Sequence, residues 1–293
     1  MKYRTYGQVI KGVAGCYTVR TAQGEDVPCF ARGKLRAKGA IFIGDIVDLT
    51  VDKEGVIEQV RPRASALVRP YVSNMDALVI VVAPSPKPDM LLADKLIIGA
   101  SEQDVDTLVC VNKADMEQAE DVAREVARDY ESLADIAVIS TQTGQGIEAL
   151  TRWMRGRFVC LAGQSAVGKS SLINAIVGQT RMRTGDLSAK GGRGKNTTRH
   201  IEIVELADGT KIADTCGFNM LEMPLFDPAR LRGYYTDFDD FAQECRYRGC
   251  CHDSEEDCGV KRAVREGRLS AARYERYLRL YRDIKQRWNK RYE

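Results

Sequence analysis

Over residues 1–70 the chain alternates apolar and polar positions in short runs: GQVIKG, GCYTVRT, VPCFARG, DIVDLTV and GVIEQVRPR. Glycine and proline break the runs. The pattern predicts about five short strands, and five strands in so short a segment fit a small closed β-barrel of OB type. From Asp76 the pattern changes. ALVIVVA (77–83) is a continuous apolar run, as expected of a strand covered on both faces. A helix is predicted near 89–102, then the strand of TLVCVNKAD, a helix near 117–130, the strand IAVIS, a helix near 146–155 and the strand of RFVCLAG. Strands alternating with helices predict a parallel α/β sheet, continuing to about residue 225. Beyond Pro228 come short helices and a long helix from about Leu269. The expected organisation is multidomain: a barrel over 1–70, an α/β domain over 71–225 and an α-helical domain over 226–293. There is no internal repeat and no low-complexity segment.

Of the 293 residues, 44% are hydrophobic and 29% charged, which excludes a disordered chain. No run approaches the ~18 apolar residues that span a bilayer, so no membrane partner is expected. The opening MKYRTYGQVIKG lacks the apolar core of a secretory signal, and a cytoplasmic location is the expectation. The net charge of +3 is unevenly placed. Residues 1–70 carry 12 Lys/Arg against 7 Asp/Glu and residues 259–293 carry 12 against 4, which leaves the middle acidic. Basic ends around an acidic centre suggest that the ends touch a polyanion.

Gly163-Gln-Ser-Ala-Val-Gly168-Lys169-Ser170 matches G-x-x-x-x-G-K-[ST]. It follows the strand RFVCLA and opens the helix SSLINAIVG, the context the motif requires. Glycines let the backbone wrap so that successive N–H groups face phosphate oxygens, and the helix N-terminus adds positive partial charge. Gly163, Gln164, Ser165, Ala166, Val167, Gly168, Lys169, Ser170 and Ser171 are the expected cradle. Lys169 would reach the β- and γ-phosphates, and the Ser170 hydroxyl would ligate Mg²⁺.

A phosphate loop does not choose a base. Asn112-Lys113-Ala114-Asp115 does, because it ends the apolar strand LVCV at a carboxyl edge, where open α/β sheets bind ligands. The Asp115 carboxylate can accept from both N1–H and the 2-amino group of guanine. Adenine offers neither donor and would leave a carboxylate unpaired. Ser140-Thr141-Gln-Thr-Gly144 follows the strand IAVI and can present backbone N–H groups to the guanine carbonyl. Asp214-Thr-Cys-Gly217 follows GTKIA; Asp214 would hold Mg²⁺ through water and the Gly217 N–H would meet the γ-phosphate. In the Gly- and Arg-rich stretch of roughly 179–200, a threonine of Asn196-Thr197-Thr198 can complete the Mg²⁺ coordination, with Thr198 preferred to Thr197. GTP, GDP and Mg²⁺ are the expected ligands.

The order of these motifs is unusual. Ordinary GTPases begin with the phosphate loop and end with the guanine motif. Here the guanine loops (112–115, 140–144) come first. The same sheet can be built by cutting the chain elsewhere and joining the old ends, since domain termini often lie close together. The segment after Gly217 then leads directly into the C-terminal region, so a change at the γ-phosphate is expected to reach it.

With these motifs in this order, the chain resembles the ribosome small-subunit-dependent GTPase A family, bacterial circularly permuted GTPases, over essentially its whole length. The resemblance implies an OB-fold barrel, a permuted P-loop GTPase domain and a zinc-binding helical domain. It implies binding to the 30S ribosomal subunit and its 16S rRNA late in maturation, with hydrolysis of GTP to GDP and phosphate stimulated by the subunit. DNA is not expected as a partner, and a monomer is expected.

Nine cysteines are not spread as a disulfide framework; Cys245, Cys250, Cys251 and Cys258 crowd one short segment, which points to metal. Cys245-x4-Cys250-x-His252-x5-Cys258 supplies three thiolates and an imidazole, a set that suits one structural tetrahedral Zn²⁺. Cys251 is the spare: its spacing is less natural, and the family's pattern uses the other four. In the helix that follows, Tyr274, Tyr277, Leu278 and Tyr281 at helical spacing are expected to be a buried face, with the basic face toward rRNA.

The chain departs from its relatives at the hydrolysis step. Ordinary GTPases place a glutamine after D-x-x-G to orient the attacking water; Phe218 stands there and cannot hydrogen-bond. Relatives often carry a histidine before the paired threonines; Asn196 stands there, able to position a water but not to take its proton near neutral pH. His200 is a weaker candidate, and Cys216 replaces the usual proline. The catalytic assignment is thus Lys169, Thr198 and Asn196. The alternative function is an RNA-binding nucleotide switch with little turnover. A GTPase acting on tRNA or membrane cargo, and an ATP-using kinase, are further readings, the last disfavoured by Asp115.

Overall fold

The computed structural model describes residues 2–13, 15–33, 35, 40–68, 71–184, 202–214 and 223–292. They divide into two compact units, Met1–Val126 with Ala134–Glu222, and Ala127–Leu133 with Met223–Glu293.

The first unit opens with strands β1 (Tyr3–Val13), β2 (Cys16–Thr21), β3 (Asp26–Ala31), β4 (Ile46–Val51) and β5 (Gly55–Val60), closed into a barrel in the order β1-β2-β3-β5-β4. Five strands suffice because β1 is long. Its first half pairs with β4 and its second half with β2. The register shifts between Val9 and Lys11 and between Asp48 and Leu49. Such bulges bend strands enough to close a small barrel. Alternation does the rest: Val27, Cys29 and Ala31 of β3 point inward with Val9, Val19, Val47, Leu49 and Ile57.

Asp45 precedes β4 and is buried. Its carboxylate accepts from Arg63 Nε at 2.7 Å and Nη2 at 2.8 Å, from Ser73 Oγ at 2.6 Å and from the Phe42 N–H at 2.8 Å. The Arg63 guanidinium lies 3.6 Å above the Phe42 ring. Asp45→Ala would strand a partly buried cation and two donors at once, a loss of about 3 kcal/mol of stability. A urea-unfolding midpoint measured against wild type checks this; a change within ~0.5 kcal/mol would remove Asp45 from the framework.

A two-stranded ribbon, β6 (Ala66–Leu67) with β7 (Val72–Ser73), leads into the sheet. There follow β8 (Ala77–Val82), helix α1 (Met90–Ser101), β9 (Asp106–Val111), α2 (Ala119–Tyr130), β10 (Asp135–Val138), α3 (Ile147–Met154), β11 (Phe158–Ala162), α4 (Lys169–Thr184), β12 (Ile203–Glu205) and β13 (Lys211–Asp214). The sheet order is β10-β9-β8-β11-β13-β12, parallel except for β12. β8 and β11, the central pair, are buried at every residue, which is why their sequences lack alternation. The short ribbon and β12 carried too few residues for a periodic signal.

Barrel and sheet meet along one seam within this unit. Lys11 and Glu202 form an isolated antiparallel bridge and an ion pair at 3.4 Å. Arg20 pairs with Glu205 at 2.5 Å and Lys211 donates to Gln8 at 2.7 Å.

The second unit contains α5 (Asp239–Ala242), α6 (Gly259–Arg265) and α7 (Ala271–Asn289), the last N-capped by Ser270 accepting from the Arg273 N–H. Its buried face is Arg273, Tyr277, Leu280, Tyr281 and Ile284. That departs from the expected Tyr274–Tyr277–Leu278–Tyr281 stripe: Tyr274 and Leu278 are only half-buried, and the stripe is carried on by Leu280 and Ile284. The inward arginine is the reason for the rotation. The Arg273 guanidinium stacks 4.1 Å from the Tyr235 ring centroid and donates to the Asp129 carbonyl at 3.0 Å, while Arg276 reaches the buried Asp129 carboxylate at 2.6 Å. Burial raises the Asp237 carboxyl pKa, against the lowering by Arg273. No described helix is long and apolar enough to cross a membrane.

Candidate active site: the phosphate and guanine loops

The carboxyl edge of β11 delivers the chain into Gly163 with φ +133°. A Cβ there would strike the Val81 carbonyl, so only glycine can pass this close to β8. Ala166 and Gly168 also have positive φ, +66° and +99°, and the backbone curls before entering α4 at Lys169. The Lys169 ammonium lies folded into the loop, donating to the Gly163 carbonyl at 2.8 Å and the Gln164 carbonyl at 2.6 Å. Val167 is buried beneath; Ser165, Ala166, Ser170 and Ser171 are exposed along the loop. The Ser170 hydroxyl donates at 3.2 Å to Asp214, which ends β13.

β9, separated from β11 by β8, delivers Asn112, fully buried, at the same sheet edge. Its Nδ2 donates to the Val167 carbonyl at 2.9 Å, and its Oδ1 accepts from the Thr141 N–H at 3.2 Å. The same Nδ2 occupies the space a side chain on Gly168 would need. Lys113 reaches the Ala166 carbonyl at 3.0 Å and the Ser85 carbonyl at 2.5 Å. Asp115 stays exposed, and one of its oxygens accepts from the buried Ser140 hydroxyl at 2.5 Å. Ser140 Oγ in turn accepts the Gln142 and Thr143 N–H groups, so its proton is committed to Asp115.

The sequence-derived residues Asn112, Lys113, Asp115, Ser140, Thr141, Gly163–Ser171 and Asp214 therefore meet at one sheet edge. Asn196, Thr197, Thr198, His200, Cys216, Gly217 and Phe218 lie outside the described residues. Sequence reasoning did not anticipate that Asn112 and Lys113 would tie the phosphate loop down, nor that a proline-rich segment after β8 would join the site.

In the second unit, Cys245, Cys250, His252 and Cys258 place one ligand atom each within 4.8 Å of one another. His252 presents Nδ1, 3.3 Å from Cys258 Sγ and 3.7 Å from Cys245 Sγ. Cys251 points elsewhere, its thiol toward the Gly249 carbonyl at 3.6 Å. Burial pushes the Cys250 and Cys258 thiols up and the His252 imidazole down. Three sulfurs and an imidazole crowded this closely form a soft donor set that fits a tetrahedral metal. Tyr274 and Tyr277 secure the loop from α7 by donating to the His252 and Cys251 carbonyls at 2.6 and 2.7 Å.

A phosphate loop and an N-K-x-D loop on one parallel sheet, reached in reversed chain order behind a five-stranded barrel, define a circularly permuted P-loop GTPase. The RsgA GTPase family model matches residues 60–224 and the RsgA N-terminal domain model residues 6–57. The chain belongs to the RsgA GTPase family and is a GTP hydrolase. It is 41% identical over 295 residues to the small ribosomal subunit biogenesis GTPase RsgA of Caldanaerobacter subterraneus subsp. tengcongensis, covering 99% of each chain. It is 39% identical to the protein of the same name from Alkaliphilus metalliredigens, covering 98% of this chain and 99% of that one. Among solved structures it is similar to YjeQ from Thermotoga maritima, with a TM-score of 0.73, 33% identity and coverage of 96% and 99%. YloQ, described as a circularly permuted GTPase, matches with a TM-score of 0.68, 29% identity and coverage of 97% and 96%.

Proposed function

We propose that this GTPase acts on the maturing small ribosomal subunit, binding 30S particles through 16S rRNA and hydrolysing GTP faster when bound. The observation that carries the reading is the stitching of Asn112 and Lys113 to the phosphate-loop carbonyls, which makes one continuous cradle for a guanine nucleotide. The names of the relatives supply the ribosomal side. In this reading residues 1–70 are the RNA-binding barrel, 71–225 the GTPase domain and 226–293 the metal-binding domain. The protein works as a cytoplasmic monomer, without DNA or membrane.

Asp115 takes the guanine edge, the Thr141 region its carbonyl, and the backbone from Gly163 to Ser171 the phosphates. Lys169 leaves the loop carbonyls for the β- and γ-phosphate oxygens and neutralises charge as the bond to the leaving group breaks. Ser170 and Asp214 offer hard oxygen donors side by side, a pair that suits Mg²⁺ completed by Thr198. Mg²⁺ when bound would screen the triphosphate charge. Asn196 positions the attacking water in place of the usual glutamine, and Gly217 meets the γ-phosphate.

Phosphate release is measured with and without 30S subunits. Stimulation of at least ~10-fold is expected for wild type and none for Lys169→Ala. Asn196→Ala should keep GTP binding while losing the stimulated turnover. Equal rates with and without subunits would replace this reading by that of a nucleotide switch with little turnover.

Cys245, Cys250, His252 and Cys258 hold one structural Zn²⁺. The second unit is small, so the metal supplies much of its folding free energy. Purified protein should contain one zinc per chain by elemental analysis. Cys258→Ser or a strong chelator should melt α6 and α7 in far-ultraviolet circular dichroism, whereas Cys251→Ser should leave both zinc content and helicity unchanged.

A further inference from the structure

The chain between β8 and α1, Pro84-Ser-Pro-Lys-Pro-Asp89, has proline at every second position. Those prolines contribute no N–H, so the segment can bond little to itself, and its carbonyls must find donors elsewhere. Two side chains of the nucleotide site meet that need. Lys113 donates to the Ser85 carbonyl at 2.5 Å. Gln164 uses both ends of its amide: Nε2 donates to the Lys87 carbonyl at 3.1 Å and Oε1 accepts the Asp89 N–H at 2.8 Å. Asp89 in turn caps α1, accepting the Leu92 N–H at 3.0 Å. A closed circuit results. It runs from the phosphate loop through Gln164 to the proline segment, from Ser85 to Lys113, and from Lys113 back to the Ala166 carbonyl of the phosphate loop at 3.0 Å.

We infer that Gln164 is a positioning residue for guanine-nucleotide retention: its side chain fixes the proline segment, and the segment fixes Lys113 against the phosphate loop. The inference rests on reading the 112–115 and 163–170 loops as one nucleotide site. Gln164 lies in the phosphate loop, where the motif prescribes only its backbone. Its side chain turns from the loop's hollow toward Lys87 and Asp89, and so does work the motif does not specify. Substitution should loosen the nucleotide through Lys113. Methionine keeps the length of the side chain and removes both hydrogen bonds. Glutamate keeps the acceptor for the Asp89 N–H and loses the donor for the Lys87 carbonyl.

The test is the dissociation rate of a fluorescent N-methylanthraniloyl GDP from full-length protein, in a double-mutant cycle. Gln164→Met should release it about fivefold faster, two solvent-accessible hydrogen bonds being lost, and Gln164→Glu by a smaller factor. Lys113→Met should be faster still, and Lys113→Met/Gln164→Met should equal Lys113→Met alone, because Gln164 acts through that lysine. Fold-changes that multiply in the double variant, or a Gln164→Met rate equal to wild type, overturn the inference. Should Gln164→Met fail to fold by circular dichroism, the Gln164→Glu cycle decides by the same criterion. Wild-type protein that fails to bind the labelled GDP would sink the nucleotide-site reading itself, a different outcome.

Discussion

Asp115→Asn is expected to lower affinity for GTP by about 10³-fold and to raise affinity for xanthosine triphosphate, measured by competition against a fluorescent nucleotide. Guanine presents two donors to the Asp115 carboxylate, and each charge-assisted hydrogen bond contributes about 1.5–3 kcal/mol. An amide cannot accept both. The local geometry sharpens the expectation. Ser140 must donate to residue 115, because its own acceptor sites are taken by the Gln142 and Thr143 N–H groups. An asparagine would therefore turn its oxygen to Ser140 and its NH₂ toward the base. There it opposes the guanine 2-amino group and suits the 2-oxo group of xanthine. Unchanged preference for guanine would mean that Asp115 does not face a base.

Lys169→Ala is expected to cut GTP turnover by at least about 10²–10³-fold, in the presence of 30S subunits as well as without them. The lysine is the cation at the neck of the phosphate loop, where it already donates to the Gly163 and Gln164 carbonyls. Removing it takes away both the positive charge and the donor that organises those carbonyls. Single-turnover hydrolysis at saturating GTP separates the chemical loss from weakened binding. Turnover within tenfold of wild type would show that charge neutralisation comes from another group.

Much of this was legible in the residues. The five barrel strands, the buried central strands and the phosphate loop announced themselves because their signals are local: period-two alternation, unbroken apolar runs, and glycines at fixed spacing. The cluster of Cys245, Cys250, His252 and Cys258 was legible for the same reason, since four side chains of metal-ligand type fall in one short segment. What escaped depends on contacts distant in sequence. Arg273 reads as one more base on a basic helix, yet it faces inward because Tyr235 and Asp129, far off in the chain, give it a ring and a carbonyl. The end of α2, which supplies Asp129 and Tyr130 to the second unit, carries no sign of that membership. Asp45 likewise looks like a turn residue until Arg63 and Ser73 converge on it. Gln164 sits at a position the motif leaves open, so nothing in its spacing disclosed the proline segment.

Asp115 and Lys169 are expected to hold opposite ends of one guanine nucleotide. A crystal structure of the full chain with GDP and Mg²⁺ tests it most directly. The Asp115 carboxylate should lie at hydrogen-bonding distance from guanine N1 and the 2-amino group, with the Lys169 ammonium against the β-phosphate of the same molecule. A nucleotide whose phosphates occupy the 163–170 loop while its base lies away from Asp115 would contradict it.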